Sequence, residues 1–253
     1  MEEIKLKTYS TRSPKNINKK EALEEMKKME DEIYELQRKF NANSNKSMLI
    51  ILQWMDASGK DSWVNKVFSC MNPMGLWVKG FSAPNKEEQV HNFLWRISKE
   101  TPEKWKIQIF NRSHYEDILV PSVEKTLPNK VIEKRYKHIK NFEKMLADED
   151  TIILKFYLHM SKDKQKERLL ERLTMKRKYF KFDPSDTRAR EKRDEYIETY
   201  EKIFKETNTK NAPWYIIPAD QKWYKSYLIM KKVKVALESL NQERPKLKTM
   251  CNG

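Results

Sequence analysis

The sequence predicts an α/β fold, a parallel five-stranded sheet covered by helices on both faces. Three observations carry this. Strand-type runs alternate with helix-type runs along most of the 253 residues. The longest strand runs, "SMLIILQW" (47–54) and "TIILKFYLHM" (151–160), are mostly apolar without strict alternation. That is the pattern of strands buried on both faces, not of a sheet with one wet side. Finally, no internal repeat and no linker rich in Gly, Pro or Ser interrupts the alternation, so one domain over 1–253 is expected.

The elements follow in order. Residues 1–18 read as an extended arm. From Lys20 to Phe40, apolar residues recur at Leu23, Met26, Met29, Ile33, Leu36 and Phe40, in steps of three and four. Such a stripe predicts a helix packed on its own domain, with a dimer seam as the alternative. A strand at 47–54 leads into a helix over Gly59–Met71. "LWVKGF" (76–81) is a second strand, and "NKEEQVHNFLWRISKE" (85–100) a helix capped by Asn85. "KIQIF" (106–110) is a third strand, followed by a helix over about 128–146. After the fourth strand come a helix from Ser161 and a long helix over about 186–206, with a lid expected over 174–192. "PWYIIPA" (213–219) is the fifth strand and 222–240 the last helix. The tail 241–253 reads as disordered.

Composition narrows the function. Lys and Arg number 52 against 37 Asp and Glu, a formal net charge of +15. A surplus of that size favours polyanionic partners: nucleic acid, anionic membrane or phosphate-rich substrates. Cys70 and Cys251 are far apart, and form neither a disulfide framework nor a cysteine metal site. The start "MEEIKLKTYSTRS" lacks an apolar signal core, and no apolar run nears the ~18 residues of a membrane span. A cytoplasmic protein without a membrane partner is expected.

The stretch "LIILQWMDASGKDSW" (49–63) carries the first chemistry. A strand, a Gly-Lys pair and a helix follow one another, as in a phosphate-binding loop. Backbone N–H groups of Ala57, Ser58, Gly59, Lys60 and Asp61 would face a phosphate at the helix start, with the Lys60 ammonium adding a point charge. Asp56 supplies a hard oxygen suited to Mg²⁺. The match is partial: Trp54 stands at the first glycine and Asp61 at the Ser/Thr, so the alternative is a simple turn closed by Gly59. The segment "IFNRSHYEDILV" (109–120) then places Asn111 to Asp117 at the carboxyl end of the third strand, where a parallel sheet binds ligands. Glu116 and Asp117 can hold or orient Mg²⁺, and Arg112 can clamp phosphate oxygens through its planar fork. Lys164, Arg168, Arg172 and Lys176 are spaced by four and share a helix face. With Arg188, Arg190 and Arg193 beyond, they fit a mobile arm closing over phosphates, and a solvated face with Glu167 and Glu171 is the alternative.

These segments, with "NPMGLWVKGFSAP", "HNFLWRI", "ILKFYLHMSKDKQKERLLERL" and "APWYIIPADQKWY", occur in the order found in family 2 polyphosphate kinases, which the chain resembles over about Met48–Tyr224. "NRSHYED" and "APWYIIPADQKWY" are the most specific. The resemblance implies a P-loop kinase-like fold with an Arg/Lys-rich helical lid. It implies Mg²⁺-dependent phosphoryl transfer between inorganic polyphosphate and a nucleoside mono- or diphosphate, and a homo-oligomer, dimer or tetramer. It implies catalytic roles for Asp56, Lys60, Arg112 and Asp117. Asp56, Glu116 and Asp117 would hold the metal. Arg112, Arg168, Arg172 and Arg190 would bind polyphosphate beside the loop. Asn111, His114, Tyr115 and Glu116 fall on the nucleotide side, with a structural hydrogen bond as the favoured role for His114. Asp61 is usual in the family.

Trp54, Trp63, Ser82 and Arg193 depart from the family spelling. Trp54 has three readings. It could force a left-handed backbone at a cost of roughly 1–2 kcal/mol. It could block a phosphate site. Or position 54 could still be strand, with the indole packed away from ligand. Blocking would leave a protein that binds without catalysis. An ATP-dependent nucleoside monophosphate kinase is the other enzyme alternative. A nucleic-acid binder lacks any recognition motif here, so no nucleic-acid partner is expected.

Overall fold

A computed structural model of the chain describes residues 3–43, 45–55, 61–181 and 184–240. The loop 56–60 and the tail 241–253, expected as phosphate cradle and disordered end, lie outside the described residues. Helix α1 (Lys19–Asn43) precedes β1 (Ser47–Trp54), α2 (Asp61–Phe68) and β2 (Leu76–Gly80). Two short helices, α3 (Lys86–Gln89) and α4 (Trp95–Ser98), lead to β3 (Ile107–Asn111), α5 (Glu116–Val123), α6 (Asn129–Asp148) and β4 (Thr151–His159). Then come α7 (Lys162–Thr174), α8 (Pro184–Glu191), α9 (Arg193–Thr207), β5 (Trp214–Pro218) and α10 (Lys222–Glu238).

The five strands lie in the order β2-β3-β1-β4-β5, and every pairing is parallel. β1 is central, and all eight of its residues are buried, which is why its sequence is apolar without alternation. Alternate side chains enter two cores. Met48, Ile50, Leu52 and Trp54 face a layer with apolar residues of α1, α2 and α10. Leu49 and Ile51 face a layer built from α5, α6 and α9. The α1 stripe packs on α10 of the same chain, as its period predicts.

Several expectations need correction. The helix expected over 85–100 is two short ones. Asn85 and Glu88 form a reciprocal capping box at α3. Asn92 then stops the run: its side chain accepts the Leu94 N–H at 3.1 Å and its carbonyl the Trp95 N–H at 2.9 Å, starting α4 afresh. The helix expected over 186–206 breaks at Lys192, where the buried Arg193 turns inward. Lys176 leaves the stripe because α7 ends at Thr174 and Lys176–Lys181 is a 3-10 turn. The arm is also not free: Leu6 is buried, its N–H donates to Glu201 Oε1 at 2.8 Å, and the Thr11 carbonyl accepts the Asp220 N–H at 3.0 Å. α5 carries no helix signal in the sequence, because Pro121 lies inside it. Proline removes the N–H that would reach the Asp117 carbonyl, and Arg135 donates to that carbonyl instead.

Candidate active site

β1 and β3 are neighbours, yet β1 leads to α2 in one layer and β3 to α5 in the other. Their carboxyl ends therefore diverge and open a crevice, the place where ligands bind in such sheets. Trp54 is the last residue of β1 and pairs in register with Leu158. It is 4 % exposed and shares an apolar layer with Val64, Val67 and Met160. Its carbonyl accepts the Tyr200 hydroxyl at 3.1 Å. Position 54 is thus strand, and its indole is core. The expected cradle residues Asp56, Ala57, Ser58, Gly59 and Lys60 fall outside the described residues, as do the side chains of Asp61 and Trp63.

The turn from β3 into α5 forms the other wall. Arg112 adopts φ 63°, a left-handed conformation that costs a non-glycine residue roughly 1–2 kcal/mol. Its N–H still donates to Leu52 O at 3.1 Å, so the strand pairing holds the strained residue in place. Its guanidinium is partly exposed and lies 4.0 Å from Glu116 Oε2. With the Gln53 amide nitrogen facing Glu116 Oε1 at 2.9 Å, the Gln53 oxygen accepts from Ser113 Oγ. Asp117 is largely buried, and Arg96 Nη2 lies 3.2 Å from its Oδ2. Burial pushes its carboxyl above the ordinary value, against the opposing pull of Arg96. Asn111, half-buried, ends β3, and its carbonyl accepts the Phe81 N–H at 3.0 Å.

Arg96 is the residue that sequence reasoning missed. It is 7 % exposed, donates to Ser82 O at 2.8 Å, reaches Glu88 at 3.5 Å and lies over the Phe81 ring. It ties the segment after β2 to the head of α5. At Ser82 the contact is made by the backbone carbonyl, so the side chain there does not decide it. The signal was present: an arginine inside "FLWRI" has an apolar setting and therefore needs an acidic partner.

Two residues expected on the nucleotide side lie inside the protein. His114 and Tyr115 are fully buried. The Tyr115 hydroxyl donates to Glu143 Oε1 at 2.6 Å, and His114 Nε2 lies 3.3 Å from the same oxygen. Both side chains are enclosed in the core beneath the turn. The structural role favoured for His114 is the one observed.

The expected lid arginines separate. Arg168 is 7 % exposed, its Nη2 donates to Ala219 O at 3.4 Å, and burial lowers its guanidinium below the ordinary value. It joins α7 to the residue that follows β5. Arg172 and Arg190 are half-buried, and Arg190 Nη1 donates to Lys162 O at 2.9 Å, folding α8 back over the start of α7. Arg193 donates to Met160 O and to Gln165 Oε1 at 3.0 Å, and lies 3.6 Å from the sulfur of Met55, which precedes the loop.

A family model described as "Polyphosphate kinase 2" matches residues 16–245. The chain is 43% identical over 231 residues to the AMP/ADP-polyphosphate phosphotransferase of Meiothermus ruber, covering 91% of this chain and 86% of that protein. It is 35% identical over 257 residues to the ADP-polyphosphate phosphotransferase of Rhodopseudomonas palustris, covering 96% and 89%. The crystal structure of polyphosphate kinase 2 from Arthrobacter aurescens TC1 superposes with a TM-score of 0.94 at 34% identity, over 98% of this chain and 90% of that one. A match over nearly the whole length, on a parallel sheet whose open end carries the family's charged turn, shows that this chain belongs to the polyphosphate kinase 2 family.

Proposed function

We propose that this chain moves the terminal phosphoryl group of inorganic polyphosphate to a nucleotide, forming ATP from ADP and, by the same step, ADP from AMP. The observation that carries the reading is the gathering of Arg112, Glu116 and Asp117 at the crevice between β1 and β3. The names of the relatives from Meiothermus ruber and Rhodopseudomonas palustris, which specify AMP, ADP and polyphosphate, support the substrate class.

The donor set fits Mg²⁺. Among the described residues no group of three or more His, Cys, Asp or Glu gathers into a cage. Mg²⁺ needs none, because it keeps several waters and binds through one or two carboxylates plus substrate phosphates. Glu116 and Asp117 would hold it, with Asp56 from the loop. When bound, the ion would neutralise phosphate charge between donor and acceptor.

The chain's own residues do the rest. An oxygen of the nucleotide's terminal phosphate attacks the terminal phosphorus of the polymer. One P–O bond forms as the P–O bond to the chain breaks, and the shortened polymer leaves with the electron pair. Arg112 and Lys60 neutralise the charge that builds on the transferred group. Arg172 and Arg190 draw the polyanion under the lid. Arg96 holds Asp117 in place. Trp54 gives no ground for a silenced site, because its indole fills the core and not the cradle. The test is a donor comparison with ADP or AMP as acceptor. Polyphosphate is expected to support turnover where ATP as donor to AMP does not. The reverse preference would make this an ATP-dependent nucleoside monophosphate kinase.

A further inference from the structure

The most specific motifs of the sequence, "NRSHYED" and "APWYIIPADQKWY", meet in the interior rather than over the crevice. Their meeting point is a buried ion pair. Lys155 of β4 donates to Glu143 Oε2 of α6 at 2.6 Å, to the Tyr115 hydroxyl at 3.0 Å and to Thr207 O at the end of α9 at 2.8 Å. All three ammonium hydrogens are thereby used. Glu143 Oε1 takes the Tyr115 hydroxyl and faces His114 Nε2. The Tyr115 ring packs edge-on against Trp214 of β5 at 4.9 Å, and Trp214 Nε1 donates to Thr207 Oγ1 at 3.0 Å. His114, Tyr115, Glu143 and Lys155 are all essentially without solvent exposure. Burial works to raise the Glu143 carboxyl, but Lys155 and His114 outweigh it and hold it below its ordinary value.

We propose that the Glu143–Lys155 pair is a positioning device for phosphoryl transfer, fixing the turn that carries Arg112, Glu116 and Asp117. A buried ion pair is a poor way to gain stability, since desolvation consumes most of its attraction and an apolar pair of similar size often serves as well. What it adds is direction. The apolar layer around Phe110, Ile118 and Ile139 holds the turn without specifying its rotation. Two consecutive side chains, His114 and Tyr115, both directed at one carboxylate, do specify it. The residues that follow directly are Glu116 and Asp117, and the strained Arg112 stands two positions before His114. Strain at such a position persists only where surrounding contacts over-determine it. The proposal rests on the transfer reading for what the turn does, and on these contacts alone for how it is held.

The test compares the parent with Tyr115→Phe and with the double variant Glu143→Gln/Lys155→Met, which leaves no uncompensated charge. Backbone amide hydrogen exchange and steady-state turnover of polyphosphate with ADP are measured on each. For the double variant we expect a thermal midpoint within about 5 °C of the parent. Exchange over 112–119 should quicken by about ten-fold relative to β1 and β3. kcat should fall by about ten-fold, with KM for both substrates changed by less than roughly three-fold. Tyr115→Phe should fall between. Unchanged exchange in the turn, or faster exchange with parental kcat, overturns the proposal. So does a loss of protection spread evenly over the sheet, which would make the pair a fold element only. If the parent itself shows no turnover with polyphosphate, the transfer reading fails, and exchange over 112–119 still decides whether the pair holds the turn.

Discussion

Two residues at the mouth of the crevice separate stability from chemistry. Trp54 fills the core layer against α2 and the end of β4, so Trp54→Gly deletes a buried indole and should cost about 3–5 kcal/mol. Urea unfolding should show a lowered midpoint, and turnover per folded molecule should not rise. A gain in turnover would return the indole to the phosphate site. Arg112 is the opposite case. Arg112→Gly relieves a left-handed backbone worth roughly 1–2 kcal/mol while removing the guanidinium. Thermal unfolding should therefore be unchanged or slightly raised, and turnover should fall by about 10²-fold or more. A variant that is both inactive and destabilised would show that Arg112 holds the turn as well as the phosphate. At this scale the sequence was partly legible. Arg112, Glu116 and Asp117 could be placed because a strand end is a local feature. Arg96 was harder: its apolar setting calls for an acidic partner, but that partner, Asp117, lies 21 positions away. Tyr115 was expected beside the nucleotide because a polar side chain next to a site looks like a site residue until Glu143 and Lys155 are seen beneath it.

Elements whose boundaries depend on a side chain's tertiary partner were the hardest to read. The α8–α9 break and the proline-bearing α5 each turn on such a partner, the inward Arg193 and Arg135 at the freed Asp117 carbonyl, whereas the α3–α4 break is a local asparagine cap inside an otherwise helical pattern. β1, β3, β4 and α1 were legible because burial on both faces and a three-four period need no knowledge of partners. α10 offers a test at this scale. Its Lys225 is buried, and burial, with Arg168 and Lys222 nearby, pushes its ammonium down from 10.5 to about 7. The unfolded chain therefore binds more protons between about pH 7 and 10.5, and this group's contribution to stability rises with pH through that window. Lys225→Met should be more stable than the parent at pH 6.5, by up to ~5 kcal/mol, with the gap closing as pH rises towards 10. Denaturant midpoints at both pH values check this. A gap independent of pH would mean that Lys225 is charged in the folded protein across the range.

Over the whole molecule, a net charge of +15 goes with arginines and lysines along α7 and α8. A polyphosphate chain is drawn to such a field over distances that salt shortens. Raising the salt from about 0.05 M to about 0.3 M should raise KM for polyphosphate several-fold while kcat changes little. Insensitivity to salt would mean that the polymer is recognised by contacts rather than by the field. The parallel sheet, the charged turn and the family were legible from the sequence because they rest on strand patterning and on contiguous motifs. The buried network beneath them was not, because it joins four segments far apart in the chain. The most direct measurement is ATP formation from ADP and long-chain polyphosphate with Mg²⁺, run on the parent beside Lys60→Ala. The account predicts turnover in the parent and its loss in Lys60→Ala, with the circular dichroism and thermal midpoint of the two proteins alike. Near-parental turnover in Lys60→Ala would contradict it.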